Sequence, residues 1–138
     1  MSDEMPEGYT HEPSTSAFVN HIGKIYNKVV IAPDGTKETW VAIRIEPHHV
    51  NTWGFAHGGF MAAMAEVGTG GGYEPGGPPV VAIDLQMHFV AAPKLGQLLE
   101  MRGVVNKRTR SLVFAESKAY ADGALMFSCT AIHKIVGG

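Results

Sequence analysis

The sequence predicts an α+β domain in which one curved antiparallel sheet wraps around a single central apolar helix. Two observations lead to this fold class. The segment 57–68 is apolar on all sides, and a helix without a polar face is a buried helix. A run of three or four strand candidates joined by turns follows it. Packing one buried helix against one sheet is the simplest arrangement that buries the apolar surfaces of both.

The N-terminal region precedes these elements. Residues 1–13 are polar and contain two prolines, which indicates a flexible tail. A capping signal at 14–16 then precedes three apolar residues with the spacing i, i+4, i+7, namely Phe18, Ile22 and Ile25. We therefore predict a short amphipathic helix that covers part of the core, within a single domain that spans 14–138.

The other elements are predicted strands. Pro33-Asp34-Gly35 is a turn signal between two strand candidates, and the second candidate alternates over 39–46. The clearest strand has one wholly apolar face and spans 81–89. Further strands are predicted at about 97–106, 111–121 and 124–135, with a hairpin turn at Asp122-Gly123.

Composition excludes several function classes. The chain has 138 residues, 45% of them hydrophobic, and a net charge of −2, which disfavours a nucleic-acid surface. No stretch approaches the ~18 apolar residues of a membrane span, and the first residues do not resemble a secretory signal. The single cysteine, Cys129, excludes an intrachain disulfide. We expect a cytoplasmic protein with a small-molecule substrate and no nucleic-acid or membrane partner.

The central helix carries one charged residue, Glu66, among apolar neighbours. Burying a lone carboxylate is costly unless it is paired or protonated, and burial raises its pKa. Such a cost is tolerated either for a hidden partner or for function. A catalytic acid and a structural Glu that reaches a wet groove or pairs with an arginine are both open at this point.

Gly58 and Gly59 begin the same helix. Backbone N–H groups and the helix dipole there suit an anion or a developing oxyanion, although a tight entry into the helix also favours glycine. Glycine lets a substrate approach the backbone, which makes Gly59 a candidate substrate contact. Gly58 and Glu66 lie ~12 Å apart along a helix axis, too far to share one carbonyl. Two antiparallel copies would bring Gly58 of one chain near Glu66 of the other, which predicts a dimer.

These residues belong to a wider pattern. Asn51, Gly54, His57-Gly58-Gly59 and Glu66, followed by AIDLQMHFV, Pro93 and Gly96, resemble the hotdog-fold acyl-CoA thioesterases. The resemblance spans about residues 37–135 and is nearest to the phenylacetate-pathway and 4-hydroxybenzoyl-CoA types. It implies a hotdog fold and hydrolysis of an acyl-CoA, with coenzyme A entering only as part of the substrate. It also implies a homo-oligomer, a dimer with shared sites that assembles into a tetramer.

The resemblance assigns roles to four residues. Glu66 matches the catalytic carboxylate, as nucleophile or as general base toward water, and Gly58 matches the backbone donor that polarises the thioester carbonyl. Asn51 matches a polar residue that holds the water or the thioester, and His57 matches a histidine that supports the oxyanion donor. Without the pattern, Asn51 would be interpreted as a loop cap and His57 as a helix-start hydrogen bond.

A basic connection, Lys107-Arg108-Thr109-Arg110, lies between two predicted strands. The family places a basic residue and a Ser or Thr near the nucleotide end of coenzyme A, and arginine suits phosphate. We predict that Arg108, Arg110 and Ser111 bind substrate, with a solvated hairpin tip as the alternative. The chain departs from the family at Gly70 and Ala82, where some relatives have hydroxyl residues, so the positioning of the water stays open.

Other functions remain open. A hotdog-fold hydratase or dehydratase would space its His and Glu differently, and an acyl-CoA-binding module would bind without turnover. The seven histidines lack metal-ligand spacing, and His48 and His49 would face apart on an extended chain, so we predict no metal and no separate cofactor. The apolar helix and nearby aromatic residues suit either a small aromatic or a medium-chain acyl group.

Overall fold

In the part of the chain that the structure describes, six strands form one antiparallel sheet, and the longer of two helices packs across it. The computed structural model describes residues 5–70 and 78–137. In chain order the elements are α1 (Ala17–Ile22), β1 (Ile25–Ile31), β2 (Lys37–Arg44), α2 (Gly58–Thr69), β3 (Val80–Phe89), β4 (Leu98–Arg108), β5 (Leu112–Ala121) and β6 (Ala124–Ile135). A 3-10 turn, Pro47–His49, lies between β2 and α2. The strand order is β1-β2-β4-β5-β6-β3, so β1 and β3 form the edges.

The core lies between α2 and the sheet, as predicted. α2 contacts every strand from β2 to β6. The core residues that are at most 3% exposed come from α2, from four strands or their flanks, and from the loop before α2: Val41, Ile43, Ile45, Ala56, Met61, Met64, Ala65, Leu99, Met101, Ala119, Ala121 and Phe127. The structure therefore confirms the α+β class, with a buried apolar helix against one antiparallel sheet.

Helix α1 begins as predicted but ends earlier. The Ser16 hydroxyl caps it by accepting a hydrogen bond from the Val19 N–H at 3.3 Å. The helix stops at Ile22, because Gly23 has a φ of 152° and takes the chain out of the helical region. Ile25 therefore begins β1, and Phe18 is 68% exposed. The prediction that Phe18, Ile22 and Ile25 share one helical face is wrong.

Part of the predicted tail packs on the outer side of the sheet. Tyr9 is 5% exposed, and its hydroxyl donates to Glu100 Oε2 at 2.7 Å. Lys28 Nζ lies 4.5 Å from the centroid of the Tyr9 ring. Thr10 pairs with Asn27 of β1. The flexibility of residues 1–13 stays a prediction, but Tyr9 and Thr10 are held against the sheet.

The predicted alternation is confirmed in β5 and β6, but the apolar face predicted over 81–89 is not, because the register of β3 shifts between Ala82 and Asp84. β6 matches the predicted range, and Asp122 and Gly123 form its hairpin turn with φ values of 50° and 78°. β3 lies at the sheet edge, and its residues Val81, Ile83 and Phe89 are each more than half exposed. The glycine-rich segment 71–77 lies outside the described residues. No helix in the described ranges is long and apolar enough to cross a membrane.

Candidate active site

The N-terminus of α2 presents an unused backbone donor at Gly58. His57 is the N-cap residue, and its Nδ1 accepts a hydrogen bond from the Gly59 N–H at 2.8 Å. Because Nδ1 is an acceptor, the ring proton is on Nε2. The Gly58 N–H makes no hydrogen bond within the described part of the chain. Of the two glycines that begin the helix, Gly58 is thus the one that can donate to a ligand.

An apolar side chain of the edge strand borders this donor. A Cβ atom on Gly58 would lie 3.9 Å from Cε1 and Cζ of Phe89, the last residue of β3. Phe89 is more than half exposed. The donor therefore lies beside an exposed apolar surface, which an acyl group or a second protein chain could cover.

Asn51 organises the loop that leads into α2. Its Oδ1 accepts hydrogen bonds from the N–H groups of Trp53 at 2.9 Å and Phe55 at 3.2 Å. The Asn51 N–H donates to the Phe55 carbonyl at 2.7 Å, and Gly54 has a φ of 83° between them. The side-chain oxygen is thus engaged in the loop, and the Nδ2 amide is the part of Asn51 left for a ligand.

Glu66 lies two turns further along α2 and is half-buried. Desolvation by burial raises the pKa of its carboxyl group. Its carboxylate has no hydrogen bond or ion pair with any residue in the described ranges. No arginine within 5–70 or 78–137 is thus a partner of Glu66. The pKa of Glu66 is raised because its carboxyl group is partly shielded from water.

A buried polar pair at the C-terminal end of α2 has no signal in the sequence pattern. The Thr69 hydroxyl donates to the Ala65 carbonyl at 2.8 Å and lies 3.0 Å from His133 Nε2. His133 is fully buried, and its Nδ1 has no hydrogen-bond partner. Because the Thr69 proton is engaged, His133 Nε2–H is the donor in this contact. Burial lowers the pKa of His133, so the ring is neutral.

The predicted substrate-binding arginines lie at the β4–β5 connection. Arg108 lines a cavity of about 370 Å³ together with Gly68, Thr69 and Gly70, the end of α2 that follows Glu66. Arg110 is exposed, and the Ser111 carbonyl accepts a hydrogen bond from the Ile135 N–H at 2.8 Å. Of the three, Arg108 is the one that this cavity brings together with α2.

The adjacent histidines differ from expectation. His48 and His49 lie in the 3-10 turn rather than in an extended segment, and their rings pack 4.0 Å apart. Both Nε2 atoms reach the Ile22 carbonyl, at 2.7 and 2.6 Å. The prediction that they face apart is wrong, because a 3-10 turn brings neighbouring side chains closer than a strand does. Within the described residues, no three His, Cys, Asp or Glu side chains are grouped as metal ligands would be.

The thiol of Cys129, the single cysteine of the chain, is not reactive. Cys129 is buried in the core, as predicted, and burial raises the pKa of its thiol to about 11. At neutral pH it is a protonated thiol, which is a poor nucleophile. The structure therefore places His57, Gly58 and Gly59 at the N-terminal end of α2, Asn51 in the loop that precedes it, and Glu66 toward the other end of the helix.

Comparisons with known proteins agree with this fold. The thioesterase superfamily profile matches residues 54–125. The Pseudomonas aeruginosa protein "Putative esterase PA0474" is 27% identical over 132 residues, which cover 93% of this chain and 95% of that protein. A variant of the phenylacetic acid degradation protein PaaI from Thermus thermophilus is 26% identical, with a TM-score of 0.69 over 87% of this chain and 99% of that one.

A further similarity concerns the fold alone. A hypothetical thioesterase of Streptococcus pneumoniae, solved with coenzyme A, has a TM-score of 0.65 at 18% identity and covers 79% of this chain and 84% of that one. The family match includes Gly58 and Glu66 and extends from the loop before α2 to β6. The chain belongs to the thioesterase superfamily and is a thioester hydrolase with the hotdog fold.

Proposed function

We propose that this chain hydrolyses a small aromatic or medium-chain acyl-CoA to the free acid and coenzyme A. One observation carries the proposal: α2 presents an unused N–H at Gly58 and a half-buried carboxyl group of raised pKa at Glu66. An N–H at the positive end of a helix stabilises a developing oxyanion, and a carboxylate partly out of water is a stronger base.

Glu66 supplies the attack on the thioester. As general base, it takes a proton from a water molecule while the water oxygen bonds to the carbonyl carbon, and the C=O electron pair moves onto the oxygen. When the tetrahedral intermediate collapses, the C–S bond breaks and the thiolate receives the proton from Glu66. As nucleophile, the Glu66 carboxylate would instead bond to the carbonyl carbon while the C–S bond breaks and the coenzyme A thiolate leaves, and water would then hydrolyse the acyl anhydride and restore the carboxylate.

The N-terminus of α2 stabilises the charge on the oxygen. The Gly58 N–H donates to the oxyanion, while His57 and Asn51 hold the surrounding backbone through their hydrogen bonds to Gly59, Trp53 and Phe55. The Gly59 N–H is engaged by His57, so the part of Gly59 left for the substrate is its exposed backbone surface. The reaction needs no cofactor beyond the coenzyme A of the substrate.

Coenzyme A is the proposed leaving group for two reasons. Relatives of this fold include a thioesterase solved with coenzyme A, and a PaaI variant is 26% identical to this chain. Arg108 lines the cavity at the end of α2, where a guanidinium suits a phosphate. Arg110 and Ser111 are proposed to extend this contact at the hairpin.

The active unit in this proposal is a dimer with shared sites. Within one chain, Gly58 and Glu66 are separated along the axis of α2, so a single carbonyl cannot reach both. The edge strand β3 exposes Val81, Ile83 and Phe89, and Phe89 borders Gly58. A second copy that covers this edge would bring its own Glu66 toward Gly58. A tetramer of two such dimers is the larger assembly that we propose.

The experiment is free-thiol release from a panel of aromatic and straight-chain acyl-CoAs. Wild type is compared with Glu66→Gln, which we expect to lower kcat by about 10²–10⁴-fold with the fold intact. Gly58→Pro tests the donor, because it removes the N–H at the first helical position, where proline is well tolerated. His57 has φ −67° and ψ 141°, the conformation that a residue before proline adopts.

Gly58→Ala is the matched control, because it keeps the N–H and its Cβ would make only ordinary contact with Phe89. We expect Gly58→Pro to lower kcat by about 10²–10³-fold relative to Gly58→Ala. Full activity in Glu66→Gln would overturn the role of Glu66. Binding of acyl-CoA without thiol release from any member of the panel would favour a binding module.

A further inference from the structure

We infer that His49 is a positioning residue for the oxyanion donor and fixes the place of the Gly58 N–H without touching the substrate. The inference rests on the proposed function of Gly58. His49 ends the 3-10 turn between β2 and α2 and is buried. It lies nine positions before Gly58 in the chain, and its contacts reach α2 on both sides of that glycine.

The ring of His49 is held by both of its nitrogens. Nδ1 accepts a hydrogen bond from the Glu46 N–H at 2.9 Å, so it carries no proton. Nε2 lies 2.6 Å from the Ile22 carbonyl oxygen, which can only accept, so Nε2 is the protonated atom. One neutral tautomer satisfies both contacts, and the ring cannot flip without losing them. Burial lowers the pKa of His49, which agrees with this neutral form.

This fixed ring and its backbone hold the first turn of α2 at two points. The ring stacks on Phe60, with centroids 4.1 Å apart and planes 19° apart. The His49 carbonyl accepts a hydrogen bond from the His57 N–H at 2.8 Å. Gly58 lies between His57 and Phe60, so both of these contacts determine where its N–H points.

The ring is in turn fixed to the end of α1. A Cβ on Gly23 would lie 3.5 Å from Cε1 and Nε2 of His49 and 3.2 Å from the Ile43 side chain, so a glycine allows the chain to pass here. The Ile22 carbonyl also receives His48 Nε2 at 2.7 Å. Because the ring is held at the end of α1, rotation of the first turn of α2 would break its contacts to this fixed ring. The buried ring therefore determines the direction of the Gly58 N–H.

His48 provides a matched control. It donates to the same Ile22 carbonyl and precedes His49 in the same turn, but its side chain is about half exposed. It packs on His49 and its Nδ1 lies 3.7 Å from Glu46 Oε2, and within the described residues no ring or hydrogen-bond contact joins it to α2. A variant of His48 therefore removes the same kind of hydrogen bond while it leaves Phe60 and the His57 N–H in place.

The first measurement is the kcat and KM of acyl-CoA hydrolysis by His49→Ala and His48→Ala. Because a displacement of about 1 Å at a catalytic group can cost about 10²-fold, we expect His49→Ala to lower kcat by about 10–10²-fold. KM should change by less than about threefold, and His48→Ala should stay within about twofold of wild type, because the donor is not displaced. His49→Phe, which keeps ring volume and stacking but loses both nitrogen contacts, should show a smaller loss and keeps the test valid if His49→Ala does not fold.

The second measurement separates positioning from stability. In a Glu66→Gln background, which hydrolyses slowly, the infrared C=O stretch of a bound thioester reports its polarisation by the Gly58 N–H. We expect His49→Ala or His49→Phe to move this frequency toward that of the free thioester and His48→Ala to leave it unchanged. A merely structural role of His49 would lower the melting temperature without moving the frequency of the folded complex.

Two results would overturn the inference in distinguishable ways. If Gly58→Pro moves the frequency but the His49 variants do not, His49 is not a positioning residue and the role of Gly58 stands. If Gly58→Pro also leaves the frequency unchanged, Gly58 is not the donor, and the inference about His49 fails with that assignment.

Discussion

The carbonyl oxygen of Gly68 in α2 would lie only 2.6 Å from a Cβ atom at Gly103 in β4. The helix and the strand therefore touch backbone to backbone at this point. On the helix side, a Cβ on Gly68 would lie 2.7 Å from the Met101 methyl group. This close approach draws the turn after Glu66 onto the sheet, so the two glycines determine how deeply the carboxylate-bearing part of α2 is set into the fold.

Gly103→Ala should destabilise the protein by about 2–3 kcal/mol, because the added methyl group meets a backbone carbonyl that cannot rotate away. The change is measured as the free energy of unfolding in urea. Val105→Ala, at the exposed end of the same strand, is the control and should change it by less than about 1 kcal/mol. A Gly103→Ala protein as stable as wild type would show that α2 and β4 are not in backbone contact.

Local patterns in the sequence predicted most of the fold. The apolar segment that becomes α2 and the alternation that becomes β6 depend only on neighbouring residues, and both are confirmed. Helix α1 was overextended because its apolar spacing continues past Gly23, where the positive φ ends the helix. Tyr9 could not be placed, because its partner Glu100 is 91 residues away.

The sequence likewise predicted part of the candidate site. Gly58 and Glu66 are visible in the sequence as a glycine and a charge in an apolar helix, and the structure places both on α2. His49 and His133 act through residues that are 27 and 64 positions away, so no local spacing reveals them. The extended conformation assumed for His48 and His49 was the specific error, since the 3-10 turn directs both rings to one carbonyl.

Glu66 should lower stability at neutral pH. Burial raises the pKa of its carboxyl group above the unfolded value of 4.5, so the folded state holds its proton more tightly than the unfolded state. Below pH 4.5 both states are protonated and the cost is absent; as the pH rises through the folded pKa, the cost of the buried charge appears in full. Glu66→Gln should therefore melt at a higher temperature than wild type at pH 7.5.

The same comparison at low pH is the control for Glu66. The gain in melting temperature should vanish near pH 4, where the wild-type carboxyl group is itself neutral. An equal gain at both pH values would show that the amide makes new contacts and that burial of the charge is not the cause. A gain at pH 7.5 that vanishes near pH 4 would instead match a residue kept for activity at a cost in stability.

His133 should make the protein less stable as the solution becomes acidic. Burial lowers its pKa below the unfolded value of 6.5, so its contribution is present above pH 6.5 and is lost as the pH falls toward the folded pKa. His133→Leu removes this proton-linked loss and the unpartnered Nδ1, while the Thr69 hydroxyl keeps its bond to Ala65. In urea unfolding at pH 7.5, the variant should lie within about 1 kcal/mol of wild type.

At pH 5 we expect His133→Leu to be more stable than wild type in the same measurement. His21→Leu is the control, because it makes the same substitution at an exposed histidine of α1. A loss of stability on acidification that is identical in wild type and His133→Leu would assign that loss to other groups.

Shared sites predict that two inactive variants restore each other. Gly58→Pro and Glu66→Gln remove the two ends of the machinery, so each homodimer lacks both functional sites. In a heterodimer, one site would combine both defects, and the other would pair an intact Gly58 with an intact Glu66. Co-expression with two different tags and sequential purification gives this heterodimer, and its thiol-release rate should be about half that of the wild-type dimer. A heterodimer as inactive as its parents would place Gly58 and Glu66 of one site in the same chain, because only then does every site keep one defect.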